Sequence, residues 1–486
     1  MTIALTDLLP LAPVLITSAT AIAVMLTVAF RRNHFWNATL TVVGLNLALL
    51  VLLWGLWQGH LANVTELLVV DAYAAFFMVL ILIATLGCAT LAHVYLNGYH
   101  GNREEFYMLL LIAATGGMVL VASNHLAALF IGLELLSVPL YGMVAYTRNQ
   151  RHSLEAGIKY LVLSAAGSAF ILFGMALIYA KSGALSFQGI SAYLSPEAIL
   201  EPLMLIGTGL MVVGLGFKLS FVPFHLWTPD VYEGAPAPVG AFLATVSKIA
   251  VFAVFFRFLS VTPASGSEAF YMLLQVIAVL SILFGNLLAL NQANLKRMLG
   301  YSSIAHFGYL LVAVLAGHAI SLEAVLVYLL TYVLATMTAF GVVALMSRAE
   351  KERDADMLAD YRGLFWQRPY LAAVLTIALL SLAGIPLTAG FIGKFYVFTA
   401  GANAQLWGLL GVVVVGSALS VFYYRKAMAA LYMAKPGMRR YEPKFDWGQR
   451  AGGIMVSILF ALTVVVGIYP EPLLDLIQIF ILSSAV

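Results

Sequence analysis

Charge is what this sequence has least of. Of its 486 residues, 10% are charged and 63% are hydrophobic, and the mean hydropathy of +0.98 lies outside the range of soluble globular chains. There is one cysteine, Cys88, so an internal disulfide is excluded and packing within an apolar segment is the plain reading. There is no CxxC pair, no cluster of metal-ligand residues and no glycine-rich phosphate loop opening a βα unit, which removes the common frameworks for metal, thiol-redox and nucleotide chemistry. Haem would need facing histidines in mid-membrane, and His225 and His306 are the two that qualify. The sequence therefore argues against electron transfer in this chain, and its energy must come from a gradient or from partner subunits. The net charge of +3 says little about partners, and no feature points to nucleic acid.

Apolar runs fill the rest. About 20 residues cross a bilayer, and fourteen such runs follow one another: 8–30, 35–57, 71–93, 106–123, 125–146, 155–180, 203–226, 235–259, 268–290, 298–317, 321–347, 369–399, 405–430 and 451–470. This is the pattern of an all-α polytopic membrane protein embedded in lipid. The first run has no basic residue ahead of it, has Arg31 and Arg32 behind it, and is too long for a signal peptide, so it is expected to remain in the mature protein.

Lysines and arginines retained in cytoplasmic loops set the orientation. Nineteen fall on one side, among them Arg31, Arg32, Arg103, Lys296, Arg297, Arg353, Lys435, Arg439, Arg440 and Lys444, and two on the other, Lys181 and Arg257. Both termini are then expected outside. The four that remain, Lys159, Lys218, Lys248 and Lys394, lie inside spans.

Lys218 stands in GLGFKLSFVPFHLWTPD, 214–230, five residues before Pro223. That proline lacks an amide hydrogen and its ring clashes with the carbonyl of Leu219, so the seventh span must break. Broken backbone survives at membrane depth only where protein or water satisfies it. An ionised side chain there costs about 2.5–3.5 kcal/mol on insertion scales. A charge beside a break marks a hydrated ion path. The twelfth span repeats the device in SLAGIPLTAGFIGKFY, 381–396, where Pro386 sits among Gly384, Gly390 and Gly393 and precedes Lys394.

The two breaks belong to a repeat. SLEAGIKYL (153–161) and SLEAVLVYL (321–329) share six of nine residues at an offset of 168. The implied unit is five spans, four to eight and nine to thirteen. Five is odd, so the copies enter the membrane from opposite sides, and inverted repeats with interrupted helices in matching positions mark transporters. The expected organisation is a three-span segment at 1–105, a first half-channel at 106–259, an inverted second at 260–432 and a loop with one helix at 433–486. At the same offset Glu134 falls on Ser302 and Lys159 on Val327, so the second half lacks the first half's carboxylate.

Glu134, in FIGLELLSVPLYG, is the one acid at the middle of a span and the natural partner for Lys218. Burial favours a neutral amine and a nearby carboxylate favours the ammonium, so their separation tunes whether the lysine keeps its proton. Lys248 and Lys394 are equally deep, and His225 and His306 can exchange protons near neutral pH and join them. Plainer readings stand beside these. Lys159, near a span end, can snorkel or pack. Glu134 can be a mere counter-ion, and each histidine a satisfied buried polar group.

GLGFKLSFVPFHLWTPDVYEGAPAPV (214–239), LKRMLGYSSIAHFGYLL (295–311) and SLAGIPLTAGFIGKFY resemble the antiporter-like subunits of proton-pumping NADH-quinone oxidoreductase, respiratory complex I, over essentially the whole chain. The family also includes large subunits of multi-component Na⁺/H⁺ antiporters. Its L branch is longer and ends in a lateral helix, its M branch carries a glutamate where this chain has Lys394, and the likeness is closest to its N branch. The resemblance implies a bacterial inner-membrane subunit with both termini periplasmic, moving protons from cytoplasm to periplasm. Its partners are other antiporter-like and small membrane subunits, and flavin, iron–sulfur clusters and quinone belong to partner subunits, with no cofactor in this chain. It also implies that Glu134 and Lys218 form a controlling pair, that Lys248 connects the halves, that Lys394 lies on the exit side and that His306 belongs to the axis between them. The rival readings are an Na⁺/H⁺ antiporter subunit and a structural subunit whose charges only hold helices together.

Overall fold

The computed structural model describes residues 5–59, 62–97, 99–194, 201–261, 268–317, 319–349, 351, 353–433 and 447–484. Lys435, Arg439, Arg440 and Lys444, counted above on the basic side, lie outside the described residues. The chain is helical almost throughout, as it must be where lipid offers the backbone no hydrogen bonds. A short hairpin, β1 (Ala62–Asn63) with β2 (Val69–Val70), is antiparallel.

In chain order the helices are α1 (Ala12–Phe30), α2 (His34–Gln58), α3 (Ala72–Tyr95), α4 (Glu105–Val121), α5 (Leu126–Val144), α6 (Arg151–Ser182), α7 (Phe187–Tyr193), α8 (Pro202–Leu219), α9 (Trp227–Gly234), α10 (Ala237–Phe242), α11 (Lys248–Val261), α12 (Glu268–Leu290), α13 (Leu295–Leu315), α14 (Ala319–Met346), α15 (Leu364–Gln367), α16 (Pro369–Ala383), α17 (Ala389–Asn403), α18 (Trp407–Tyr432), α19 (Trp447–Ile468) and α20 (Glu471–Ser484). Among the described residues, 12 helical stretches are long and apolar enough to cross a membrane, and Glu105–Val121 and Pro369–Ala383 are shorter apolar helices. Those two correspond to the fourth expected span and to the first part of the broken twelfth.

Local chemistry starts and stops these helices. Asn33, Asp71, Ser186 and Asn294 each accept a backbone N–H in the first turn of the helix that follows, which satisfies an otherwise orphaned donor. Both expected breaks are present. α8 stops at Leu219, four residues before Pro223, as Ser220 turns left-handed at φ 64°, and α9 resumes at Trp227. α16 stops at Gly384, φ 80°, and α17 resumes at Ala389, with Pro386 between. The half-helices of the second break cross closely. A Cβ on Gly390 would lie 1.8 Å from the Ser381 carbonyl oxygen, so no larger residue fits.

α10, α11, α13 and α14 are the innermost elements, whereas α1, α2, α6, α18 and α19 present much of their surface outward. Between α10 and α11 the chain forms one π-helical turn, Leu243–Ser247, ending immediately before Lys248. The segment 433–486, expected to hold a loop and one helix, holds two helices in its described part. Pro470 and Pro472 interrupt the apolar run after Ile468, and α20 then packs Ile477 and Phe480 inward, with the Phe480 ring 5.5 Å from that of Phe76 on α3.

Candidate functional site

α5 and α6 face α8 across the membrane interior and present hydroxyls to its last turn. Lys218 is buried, and its Nζ donates to Ser137 Oγ at 2.9 Å and Ser164 Oγ at 2.6 Å. Tyr141 donates to the same Ser164 at 2.8 Å. Glu134 Oε1 accepts from Ser168 Oγ at 2.5 Å. Glu134 and Lys218 make no ion pair among the described residues. Ser137 stands one turn after Glu134 on α5, and Ser164 one turn before Ser168 on α6, so serines occupy the gap between acid and base.

The second cluster surrounds Lys248 at the start of α11. Its Nζ donates to Ser303 Oγ at 2.8 Å, which also accepts from the Tyr332 hydroxyl at 2.8 Å. The ammonium lies 5.0 Å from the Phe307 ring and 5.8 Å from that of Tyr232, a placement in which π faces replace some lost hydration. The His306 ring is 5.3 Å from that of Tyr332, and its Nδ1 lies 2.6 Å from the Tyr328 hydroxyl. A cavity of about 10 Å³ touches His306, Tyr328 and Tyr332 on one side and Ser381 and Gly390, at the second break, on the other. That is the smallest size that admits one water.

Lys394, one turn into α17, donates to the carbonyl of Ala383 at 2.7 Å, an acceptor freed where α16 ends, and sits 5.2 Å from the Tyr309 ring. Tyr309 in turn meets Asn286 at 3.0 Å, Asn286 accepts from Tyr423 at 3.1 Å, and Ser302 bonds Tyr424. Ser302 is where the repeat would put the counterpart of Glu134, so a tyrosine-bound hydroxyl stands in place of the carboxylate.

The two remaining candidates stand apart from these clusters. His225 lies buried in the first break, and neither ring nitrogen has a hydrogen-bond partner among the described residues. Lys159 is 42% exposed and bonds Glu155 at 2.7 Å and Asp230 at 3.0 Å. It is the first member of a charge network at the basic end. Arg297 bridges Asp230 and Glu233, each at 2.7 Å, Asn294 joins Glu233 to Asp356, and Arg353 holds Asp356 and Asp360. Burial acts to raise the Asp230 carboxyl, but the hydrogen bonds from Lys159 and Arg297 prevail and hold it below the usual carboxylate range. Beside the network, Lys296 pairs with Asp354 at 2.8 Å, their side chains 2% and 1% exposed, and Tyr95 donates to the same carboxylate.

The serines and tyrosines around the lysines were not singled out by sequence reasoning. A usable signal existed in their one-turn spacing from charged residues: Ser137 from Glu134, and Ser303 from His306. Among the described residues no three His, Cys, Asp or Glu side chains gather as metal ligands.

Residues 123–420, more than half of the chain, match the family described as NADH:quinone oxidoreductase/Mrp antiporter, TM. NADH-quinone oxidoreductase subunit N of Ectopseudomonas mendocina is 59% identical over 476 residues, 97% of this chain and 96% of that one. The chain belongs to the subunit N family of NADH-quinone oxidoreductase. Another member, subunit N of Chromohalobacter salexigens, is 56% identical over 477 residues, 98% of this chain and 100% of its relative. A solved structure of respiratory complex I from Thermus thermophilus with bound aureothin contains a chain 34% identical, superposing with a TM-score of 0.79 over 95% of this chain and 98% of that one.

Proposed function

We propose that protons cross this chain along Glu134, Lys218, Lys248, His306 and Lys394, driven by NADH oxidation and quinone reduction elsewhere in the complex. As a member of the subunit N family, the chain is a proton-translocating membrane subunit of NADH-quinone oxidoreductase. One observation carries the route. Three lysines at or beside helix breaks and a π-turn, Lys218 and Lys248 buried and Lys394 partly so, hold their ammonium groups with hydroxyls and a carbonyl, and none has a carboxylate within 4 Å among the described residues. Such partners accept a hydrogen bond from either state of the amine, so a proton can leave without stranding an opposite charge.

In this reading Lys218 loads from the basic end, taken as the cytoplasmic side of a bacterial inner membrane with both termini on the periplasmic side. Glu134, separated by serine hydroxyls, closes on Lys218 to hold the proton and withdraws to release it. Charge passes to Lys248, then through Ser303, Tyr332 and His306 to Lys394. The two five-helix units act as inverted half-channels, the second gated without an acid of its own. Moving one charge against 100 mV costs about 2.3 kcal/mol, which a carboxylate moving a few ångströms in a medium of intermediate dielectric can supply.

The ends of the line point to partners. Glu134 and Lys394 are partly exposed in the isolated chain, beside Ile131 and Val138 and beside Phe395, all outward-facing. A charge facing lipid there is costly, so neighbouring membrane subunits cover both ends. Flavin, iron–sulfur and quinone chemistry is assigned to those partner subunits. Lys218→Ala in inverted membrane vesicles tests the route: NADH-driven proton uptake is expected to fall at least about tenfold, the equivalent of 1.4 kcal/mol, with the complex assembled. Undiminished uptake would refute it, and sodium-dependent proton exchange without NADH would favour the antiporter reading.

A further inference from the structure

A cavity of substantial size lies away from the line of lysines, at the end of the molecule opposite the charge network. It encloses about 630 Å³ where α11 ends and α3, α12 and α14 begin, and its walls include Asp71, Tyr73, Arg257, Ser260, Leu274 and Ser321. Arg257 is one of two basic residues that the positive-side count places on the far side. Its side chain is 9% exposed, it donates to Asp71 Oδ1 at 2.6 Å, and its guanidinium lies 4.9 Å from the Tyr73 ring. Its buried Nε has no hydrogen-bond partner among the described residues. Asp71 Oδ1 also caps α3 by accepting from Ala74, while Oδ2 has no such partner among the described residues and Asp71 lines the cavity.

The same elements lead back to the lysines. Tyr73 runs inward from the wall, and its hydroxyl donates to the Ala253 carbonyl at 2.8 Å. At 1.5 Å per residue, Ala253 lies about 7.5 Å along the helix from Lys248 and Arg257 about 13.5 Å. The Tyr73 hydroxyl and the Ala253 carbonyl thus form a polar pair at a level of α11 between Lys248 and Arg257, where Phe252 packs on Phe255 and Phe307.

We propose that this cavity is a water-filled outlet that takes protons from Lys248 past Tyr73 to the far surface, with Asp71 Oδ2 accepting each proton and passing it to water while Arg257 positions the carboxylate. The proposal rests on the proton-translocation reading and on the orientation that accompanies it. It differs in placing an exit at the junction of the two halves, reached before Lys394.

Cysteine labelling tests it in the intact complex. Cys88 is fully buried, so Ser260→Cys at the mouth and Ser321→Cys inside each add one reachable thiol to this chain. Spheroplasts are treated from outside with a charged, membrane-impermeant maleimide, inverted vesicles are prepared, and adduct mass on this chain and protons moved per NADH are measured against the same variant untreated. Modification at both positions and at least a twofold fall in protons per NADH are expected. No adduct at Ser321→Cys, as for a cavity filled with lipid, or modification without change in that ratio, overturns the outlet. Asp71→Asn keeps the helix cap and removes the proton acceptor, so the same fall is expected without reagent. An unchanged ratio removes Asp71 from the route. Failure of the translocation reading is separately visible, because Lys218→Ala would then pump normally whatever the labelling shows.

Discussion

The basic end and the membrane interior use the same residue types to opposite effect. At the basic end Lys159, Lys296, Arg297 and Arg353 all meet carboxylates, and the best-shielded of them, Lys296, meets Asp354 with almost no solvent contact. In the interior Lys218, Lys248 and Lys394 meet serines and a carbonyl. A buried cation with an acid on it is locked, since either partner alone would be stranded in low dielectric. A buried amine among hydroxyls keeps its hydrogen bonds in both protonation states. On the proposed route, the partner, more than the lysine, separates anchoring from transport.

Breaking the lock gives the largest expected effect on stability. Asp354→Asn strands the Lys296 ammonium, and removing one partner of a buried pair costs about 3–5 kcal/mol. Assembled complex on native gels and its thermal inactivation midpoint should both fall, whereas Lys218→Ala should leave them in place. If Asp354→Asn assembles normally, the contrast between the two regions fails.

The next effect sharpens the interior side. Ser137→Ala combined with Ser164→Ala removes both hydrogen bonds to Lys218, each worth about 1.5–3 kcal/mol when one partner is charged. NADH-driven dye quenching in inverted vesicles should fall about tenfold with NADH oxidation by uncoupled membranes retained. Equal quenching would mean the hydroxyls only fill space.

Lys159→Ala is expected to do least. The side chain is partly exposed and Asp230 keeps Arg297, and surface pairs contribute about 0–1 kcal/mol. Pumping and assembly should stay near wild type, and a tenfold loss of pumping would move Lys159 into the proton line. Asp230 also contributes to the pH response of the network. Its folded-state pKa is depressed, so its contribution is present above the unfolded value of about 3.9 and is lost as pH falls through the lower folded value. Thermal midpoints of the wild-type complex and of Asp230→Asn should differ by the same amount from pH 8 to 6 and converge only in strong acid.

Much of this was legible beforehand, because composition and proline placement act locally. The apolar runs, both breaks and the depth of Lys218, Lys248 and Lys394 follow from spacing alone. The partners did not follow, because they depend on rotation between helices that are distant in sequence. Opposite sign made Glu134 the natural partner of Lys218, but it gave no sign that the helices bring Ser137 and Ser164 to the amine. Lys296 was counted as a loop cation and is buried on Asp354 and the Ala235 carbonyl, with Tyr95 donating to the same carboxylate. His225 sits at the first break as expected, but Ser303, Tyr332 and His306 come together through α13 and α14. α20 was missed because a fourteen-residue helix that starts within Pro470-Glu471-Pro472 is too short to cross and gives no span signal.

The π-turn at Leu243–Ser247 sets the phase of everything after it. A π-turn takes up one residue more than an α-turn, so Lys248 sits about 100° from where an unbroken α-helix of the same length would put it, and in this orientation it meets Ser303. Winding these five residues as regular α-helix at unchanged chain length would swing the ammonium by that angle toward a different neighbour while leaving every side chain's chemistry in place. The extra residue in this turn is therefore as much a part of the site as the lysine itself.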